Sequence, residues 1–282
     1  MSAGAGAAFV RRFARSRAAL VAAGILAAIA VLAVAAPLLY PVDPWDMVGQ
    51  PFTWPGTDPQ FPLGTDMMGR DLAAGLVHGA RVSLLIGVVA TAMAATIGVG
   101  IGAVAGYHGG RADRWLMRLT ELFQTLPPFV FAIVVVAVLQ PTVATVTVAI
   151  GLVSWPALAR LVRAEFLALR EREFVQASVA IGMGDARIIG TQILPNALPA
   201  IVVTASLNVA TAILLEAGLS FLGLGDPNVM SWGSIIGAGR DALRSAWYIA
   251  ALPGLAIVAT VLSINLVGEG LNDALNPRLR NR

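Results

Sequence analysis

The stretch EREFVQASVAIGMGDARIIGTQILPNALP, residues 171–199, decides how this chain is read, because it is a long polar insertion in an otherwise membrane-soluble sequence. Its first part, residues 171–180, has no Gly or Pro, and Phe174, Val175, Val179 and Ile181 fall near helical spacing, which predicts a short amphipathic helix. Gly182, Met183 and Gly184 then stop it, two glycines in three residues supplying the backbone freedom of a tight turn. Asp185 is placed to cap a second helix running through Arg187, Ile188 and Ile189 to Leu194, and Pro195 and Pro199 mark the entry to the next apolar run. The expected product is a helix-turn-helix between two membrane spans. On shape alone, an amphipathic connector resting on lipid headgroups is the alternative.

Outward from this stretch, the chain of 282 residues is 57% hydrophobic and 12% charged, with a mean hydropathy of +0.79. One soluble core cannot hide that much apolar surface, so the bilayer is its solvent. Six runs lack Asp, Glu, Lys and Arg: residues 18–40, 82–107, 122–139, 143–159, 197–215 and 246–268. A crossing helix needs ~20 such residues. This predicts an all-α polytopic membrane protein of six crossing helices, with the polar helix-turn-helix in a 160–195 loop between spans four and five. Residues 1–81 read as an N-terminal region with the first span and an outer loop, and residues 82–282 as a transmembrane domain with the other five. Pro127, Pro128, Pro156 and Pro253 predict kinks. RRFARSR, followed by an apolar stretch and AVAA, has the look of a cleaved signal peptide. Its apolar run exceeds the ~7–15 residues of a signal core, so it is read as the first span.

All 19 basic residues are Arg. With the N-terminus inside, 15 of them fall in inner segments and only Arg70, Arg81, Arg240 and Arg244 lie outside, which predicts cytoplasmic termini and a cytoplasmic 160–195 loop. This segregation accounts for the pI near 10.1 without nucleic-acid binding. A chain without Lys cannot build the GxxxxGK[ST] phosphate loop, so any driving ATPase is a separate chain. Residues 100–105, GIGAVA, match a dinucleotide fingerprint but lie inside an apolar run. Gly98, Gly102 and Gly106 instead recur every fourth residue, as helices do where a neighbour approaches closely. His78 and His108 are solitary and fall on opposite sides, no Ser pairs with a His-Asp relay, and Cys is absent. The chain therefore reads as non-enzymatic by itself, with no cofactor or metal of its own.

Glu121 sits just before the third span and Glu216 just after the fifth. Charges at such positions line a path or gate, or else rest at the headgroup level beside arginines or backbone amides. Asn208 and Asn265 are mid-span amides, expected as glue between helices. The outer segment 41–79 is expected to be a solvent-exposed loop leading into a short helix capped by Thr65 or Asp66, with a largely structural role for TDMMGRD; a docking surface for a substrate-delivering protein is the functional alternative.

The polar loop resembles the signature loop of the membrane subunits of ATP-binding-cassette importers: EAA, three residues, Gly, then nine residues before a hydrophobic-x-Leu-Pro ending. The matching positions are Gln176, Ala177, Ser178, Gly182 and Leu194-Pro195. Gln176 replaces the usual acid, Ser178 an Ala, and Gln192 an Ile; an amide offers a hydrogen bond but no ion pair. LGTDMMGRD (63–71), HGARVSLLIG (78–87), LREREFVQAS (169–178), ILPNALP (193–199), EAGLSFLGLG (216–225), SWG (231–233) and GEGLNDALNPRL (268–279) are similar, in order, to the permeases of dipeptide, oligopeptide and nickel importers. The resemblance implies a permease of a bacterial cytoplasmic membrane that pairs with a second, similar permease. Two ATPase subunits would bind ATP and Mg in trans, and an extracytoplasmic binding protein would deliver the substrate. Gln176, Ala177, Ser178, Ile181, Gly182, Met183, Gly184, Asp185 and Arg187 would be the ATPase-coupling loop. Peptides are the first choice of cargo, with nickel chelates or other small solutes behind them. An ion-gradient-driven secondary transporter is the alternative, and it would want repeated halves and an embedded carboxylate.

Overall fold

The computed structural model of the chain describes residues 12–275; Arg11 and the arginines at 278, 280 and 282, which enter the charge-based orientation, lie outside them. Helix α1 (Arg17–Leu39) starts where the Ser16 hydroxyl accepts a hydrogen bond from the Ala19 amide at 3.2 Å. Helix α2 (Leu72–His108) starts at Asp71, whose carboxylate accepts from the Ala73 amide at 2.8 Å. The cap is thus neither Thr65 nor Asp66. Asp66 folds the preceding loop, accepting from the amides of Met68 and Arg70 at 2.7 and 2.9 Å. α2 begins well before residue 82 because His78 and Arg81 interrupt the apolar run without interrupting the helix: His78 Nε2 lies 3.0 Å from the Tyr40 carbonyl, and Arg81 stays exposed.

α2 lies side by side with α5 (Val143–Arg170), running in the same direction. No water is released when two helices meet in lipid, so they are held by the closeness of their packing. The glycine stripe supplies it. A Cβ at Gly98, Gly102 or Gly106 would stand 2.8 Å from Leu158 Cβ, 2.5 Å from the Ala159 carbonyl oxygen and 2.6 Å from Phe166 Cβ. The expected close helix approach is therefore within this chain. Helix α8 (Leu194–Phe221) returns antiparallel, with Ile213 against Gly87 of α2. Helix α10 (Tyr248–Leu275) packs Gly268 on Ser206 of α8 and Gly270 on Ala19 of α1. Asn208, expected to bond a neighbouring helix, buries its amide nitrogen without a partner among the described residues.

The third apolar run does not form one helix. Helix α3 (Gly110–Gln124) and helix α4 (Pro128–Leu139) meet at a bend of 79°. Proline pushes the residue before it into extended backbone, and Pro127, preceding Pro128, has ψ 127°. The 12 residues of α4 rise ~18 Å, short of the ~30 Å hydrocarbon core. Among the described residues five helices are continuous and apolar enough to cross, and the bent pair makes a sixth only if taken as one broken span. At the opposite end of the bundle from residues 171–193, helix α9 (Trp232–Gly239) tucks back toward the core. Ser231 and Ser234 form its capping box, and the Trp232 indole donates to the Leu76 carbonyl at 2.9 Å.

Replacing Gly102 with Leu drives a side chain into the Ala159 backbone, which cannot move aside as a rotamer can. The expected cost is ~3 kcal/mol or more, read as a lower thermal midpoint in detergent. A Cβ at Gly100, exposed on the same helix, meets nothing within 4 Å, so Gly100→Leu should not lower the midpoint.

Candidate functional site

The polar stretch folds as a hairpin of short helices. Helix α6 (Glu173–Ala180) begins two residues later than the apolar spacing predicts, because α5 runs on to Arg170 and Arg172, in extended backbone, makes the corner. α6 ends in a Schellman turn: the Gly182 amide donates to the Val179 carbonyl at 2.9 Å and the Met183 amide to the Ser178 carbonyl at 3.1 Å. Gly182 has φ +75°, the left-handed conformation this turn demands. Helix α7 (Asp185–Ile188) follows directly.

Asp185 is not the cap of that helix. Gly184 occupies the capping position, and the Asp185 carboxylate accepts a 2.8 Å hydrogen bond from the Tyr107 hydroxyl at the end of α2, with His108 Nε2 4.0 Å away. The two prolines do not break the chain either. The helix continues through a wider π turn at Ile189–Ile193, in which the Leu194 amide reaches back five residues to Ile189, and so enters α8.

The hairpin has two sides. Val175, Ile188 and Ile193 are buried against Val162 and Phe166 of α5 and Ala103 and Tyr107 of α2. Phe174, Val179 and Ile181 point away from the chain, Ile181 at 77% exposure. Ala177, Gly182, Gly184 and Arg187 share this exposed side, while Met183 is half-buried over the core. Gln176 Nε2 donates to the Arg170 carbonyl at 3.1 Å, and Ser178 turns its hydroxyl inward to the Phe174 carbonyl at 2.9 Å. Arg170 in turn donates to the Tyr107 carbonyl at 2.7 Å, and Arg163 of α5 forms a two-pronged pair with Asp113 of α3. Sequence reasoning missed Tyr107, Arg163 and Arg170. Their partners lie 50 to 78 residues away, and only the tyrosine and histidine closing a long apolar run hint at a docking point.

The structure does not bring the two acidic candidates together. Glu121 is exposed on α3, about one turn before that helix ends at Gln124. Glu216, expected past the end of its span, lies inside α8 at 1% exposure, where its carboxylate accepts from Ser83 at 2.9 Å and Ser220 at 2.7 Å.

Long apolar helices around a close-packed pair, with a polar hairpin seated at one end, define a polytopic α-helical membrane protein. A family model described as the binding-protein-dependent transport system inner membrane component matches residues 98–281, and one described as the N-terminal transmembrane domain of oligopeptide transport permease C matches residues 6–55. The di/tripeptide transport system permease protein DppC of Pseudomonas aeruginosa is 39% identical over 279 residues, 97% of this chain and 92% of that one. The dipeptide transport system permease protein DppC of Haemophilus influenzae is 34% identical over 95% of this chain and 93% of its own. An inward-facing crystal form of the MetNI methionine ABC transporter shares the fold, with a TM-score of 0.61 over 72% of this chain and 96% of its own at 20% identity. This chain belongs to the family of inner membrane components of binding-protein-dependent transport systems.

The Tyr107 hydroxyl ties the hairpin to α2, and a hydrogen bond of this kind on a mostly exposed carboxylate contributes ~1 kcal/mol. Tyr107→Phe should therefore speed amide exchange across residues 183–193 by about fivefold, measured by mass spectrometry, with exchange at the α2–α5 contact unchanged.

Proposed function

We propose that this chain is the permease subunit of an ATP-binding-cassette importer that carries di- and tripeptides across a bacterial cytoplasmic membrane. The observation that carries the reading is the hairpin: a tightly closed turn around Gly182, exposed and apolar at its tip and seated on the two helices that pack closest. That shape suits a rigid fitting for a socket on another protein. The peptide cargo rests on the relatives' names.

In this mechanism the chain and a second, similar permease enclose the path, and an extracytoplasmic binding protein supplies the peptide. Two ATPase subunits in trans bind ATP and Mg, which this chain without Lys has no phosphate loop to hold. The arginine distribution supports cytoplasmic termini and a hairpin facing the ATPases. Closure of the ATPases on ATP moves the hairpin; Gln176, Ala177, Ser178, Ile181, Gly182, Met183, Gly184, Asp185 and Arg187 form the coupling loop, and α2 with α5 turns as a unit. ATP drives the change only because it favours one arrangement of the assembly over the other. Glu121, exposed beside the break in the third segment, is assigned to the path or gate. Glu216 keeps α2 and α8 in place at the gate's far side through Ser83.

Gly182→Asp tests the lever. A Cβ at Gly182 meets nothing within 4 Å, and the left-handed backbone adds only ~1–2 kcal/mol of strain, so this chain should still fold. In proteoliposomes holding the whole transporter, wild type should take up labelled dipeptide with ATP inside, and a protonophore should not stop it. The variant should lose uptake while ATP hydrolysis persists uncoupled, or fail to retain the ATPases. Normal uptake by the variant would refute the lever, and uptake that follows the proton gradient instead of ATP would refute the importer.

A further inference from the structure

Asp113 and Gln124 are eleven residues apart on α3, about 16 Å along a helix. They meet Arg163 and Arg160, only three residues and about 4.5 Å apart along α5. The Phe123 ring, beside Gln124, reaches Trp155, eight residues before Arg163, so α3 runs back obliquely along α5 from the level of Arg163 toward that of Trp155. Its depth follows from α5, whose uncharged residues 143–159 rise ~25 Å, close to the thickness of a hydrocarbon core. Arg160 and Arg163 thus fall at the bilayer boundary, and the first half of α3, held to Arg163 through Asp113, lies at that boundary.

One side of α3 is occupied: Thr120 is buried, Asp113 is paired with Arg163, and the Phe123 ring stands 5.2 Å from the Trp155 ring. The opposite side is not. It carries Arg111, Arg114, Trp115 and Arg118, all exposed, with Trp115 at 69%. The Arg118 guanidinium stands 5.6 Å from the centre of the Trp115 ring. Arg114 turns its Nε back to the Gly110 carbonyl at 3.4 Å, and none of these three arginines forms an ion pair with a carboxylate among the described residues.

We propose that this face of α3 binds the phosphate headgroups of anionic phospholipids. Three guanidiniums on one side of the boundary half of this helix match phosphate geometry and concentrate positive charge where an anionic leaflet is most negative. An exposed indole among them sits at the headgroup level that Trp prefers. Anchored there, α3 would hold the entry to the bent third segment at a fixed depth while α2 and α5 move. The inference rests on the membrane placement of the bundle and is independent of the cargo.

The test is native mass spectrometry of the full chain, with the subunits that co-purify, released from nanodiscs of equal phosphatidylglycerol and phosphatidylcholine. Wild type should retain phosphatidylglycerol over phosphatidylcholine by about tenfold, and R111Q/R114Q/R118Q should lose most of that preference. R240Q/R244Q, an exposed pair at the other end of the bundle, should keep it. No preference in the wild type, or an unchanged one in the triple variant, overturns the proposal. Should the triple variant not fold, a photoreactive side chain at position 115 alone decides the occupant. A phospholipid adduct supports the proposal, and a crosslink to another permease overturns it by giving the face to that subunit.

Discussion

Everything at the hairpin end depends on how closely α2 and α5 approach. The missing side chains at Gly98, Gly102 and Gly106 bring the α5 backbone at Ala159 and Arg163 against α2, and this close approach places Ala103 and Tyr107 beside Val162 and Phe166. That surface is the floor on which Val175, Ile188 and Ile193 rest. Polar groups then join the same two helices: Arg170 of α5 holds the Tyr107 carbonyl of α2, and the Tyr107 hydroxyl holds Asp185 of the hairpin. A spreading of α2 from α5 would therefore loosen the hairpin's apolar seat and its polar tether at once. In lipid, where apolar surface gains nothing by leaving the solvent, such geometric fit is the main source of cohesion.

What was legible in the sequence was local. The glycine stripe announces itself by its four-residue step, and the turn at Gly182 by the requirement that a left-handed position be filled by glycine. Distance in the chain hid the rest. Tyr107 with Asp185, Arg163 with Asp113, and Ser83 with Glu216 are each complementary, but hydrogen-bonding capacity has no periodicity to reveal its partner. The apolar run at residues 122–139 was legible only in part, for a different reason. Pro127 and Pro128 announce a kink, as expected, but a count of uncharged residues cannot tell that backbone sterics turn the chain through 79° there. Asp185 misled in the opposite way, since its residue type suits a cap and yet a tertiary partner claimed the carboxylate.

At the other end, Glu216 shows how the bundle keeps a charge-bearing group within apolar surroundings. Both carboxylate oxygens receive hydroxyl hydrogen bonds, from Ser83 on α2 and from Ser220 one turn along α8, so the cost of leaving water is offset in place. The Ser83 oxygen also accepts from the Trp232 amide at 3.3 Å, which draws the first turn of α9 into the same node. One carboxylate thus joins three helices that are distant in sequence, and Gly233 allows α9 to press against the α8 backbone at Ala217.

With α2 and α8 fastened at both ends and α5 packed along α2, the third segment is the part able to yield. α4 buries only Ala132 and Val136, enters through the Pro127-Pro128 corner and leaves through Gln140, whose φ of +71° is unusual for a residue with a side chain. Neither end continues a hydrogen-bonded helix. A change in its tilt therefore needs rotation about a few hinge dihedrals and no broken helical hydrogen bonds, the usual economy of hinged motion. The same displacement of α8 would have to pass through the unbroken run from Asp185 to Phe221. In the proposed mechanism, motion delivered at the hairpin would thus be carried as a rigid movement by α2, α5 and α8. It would become a change of shape where proline has already interrupted the backbone, beside the exposed Glu121.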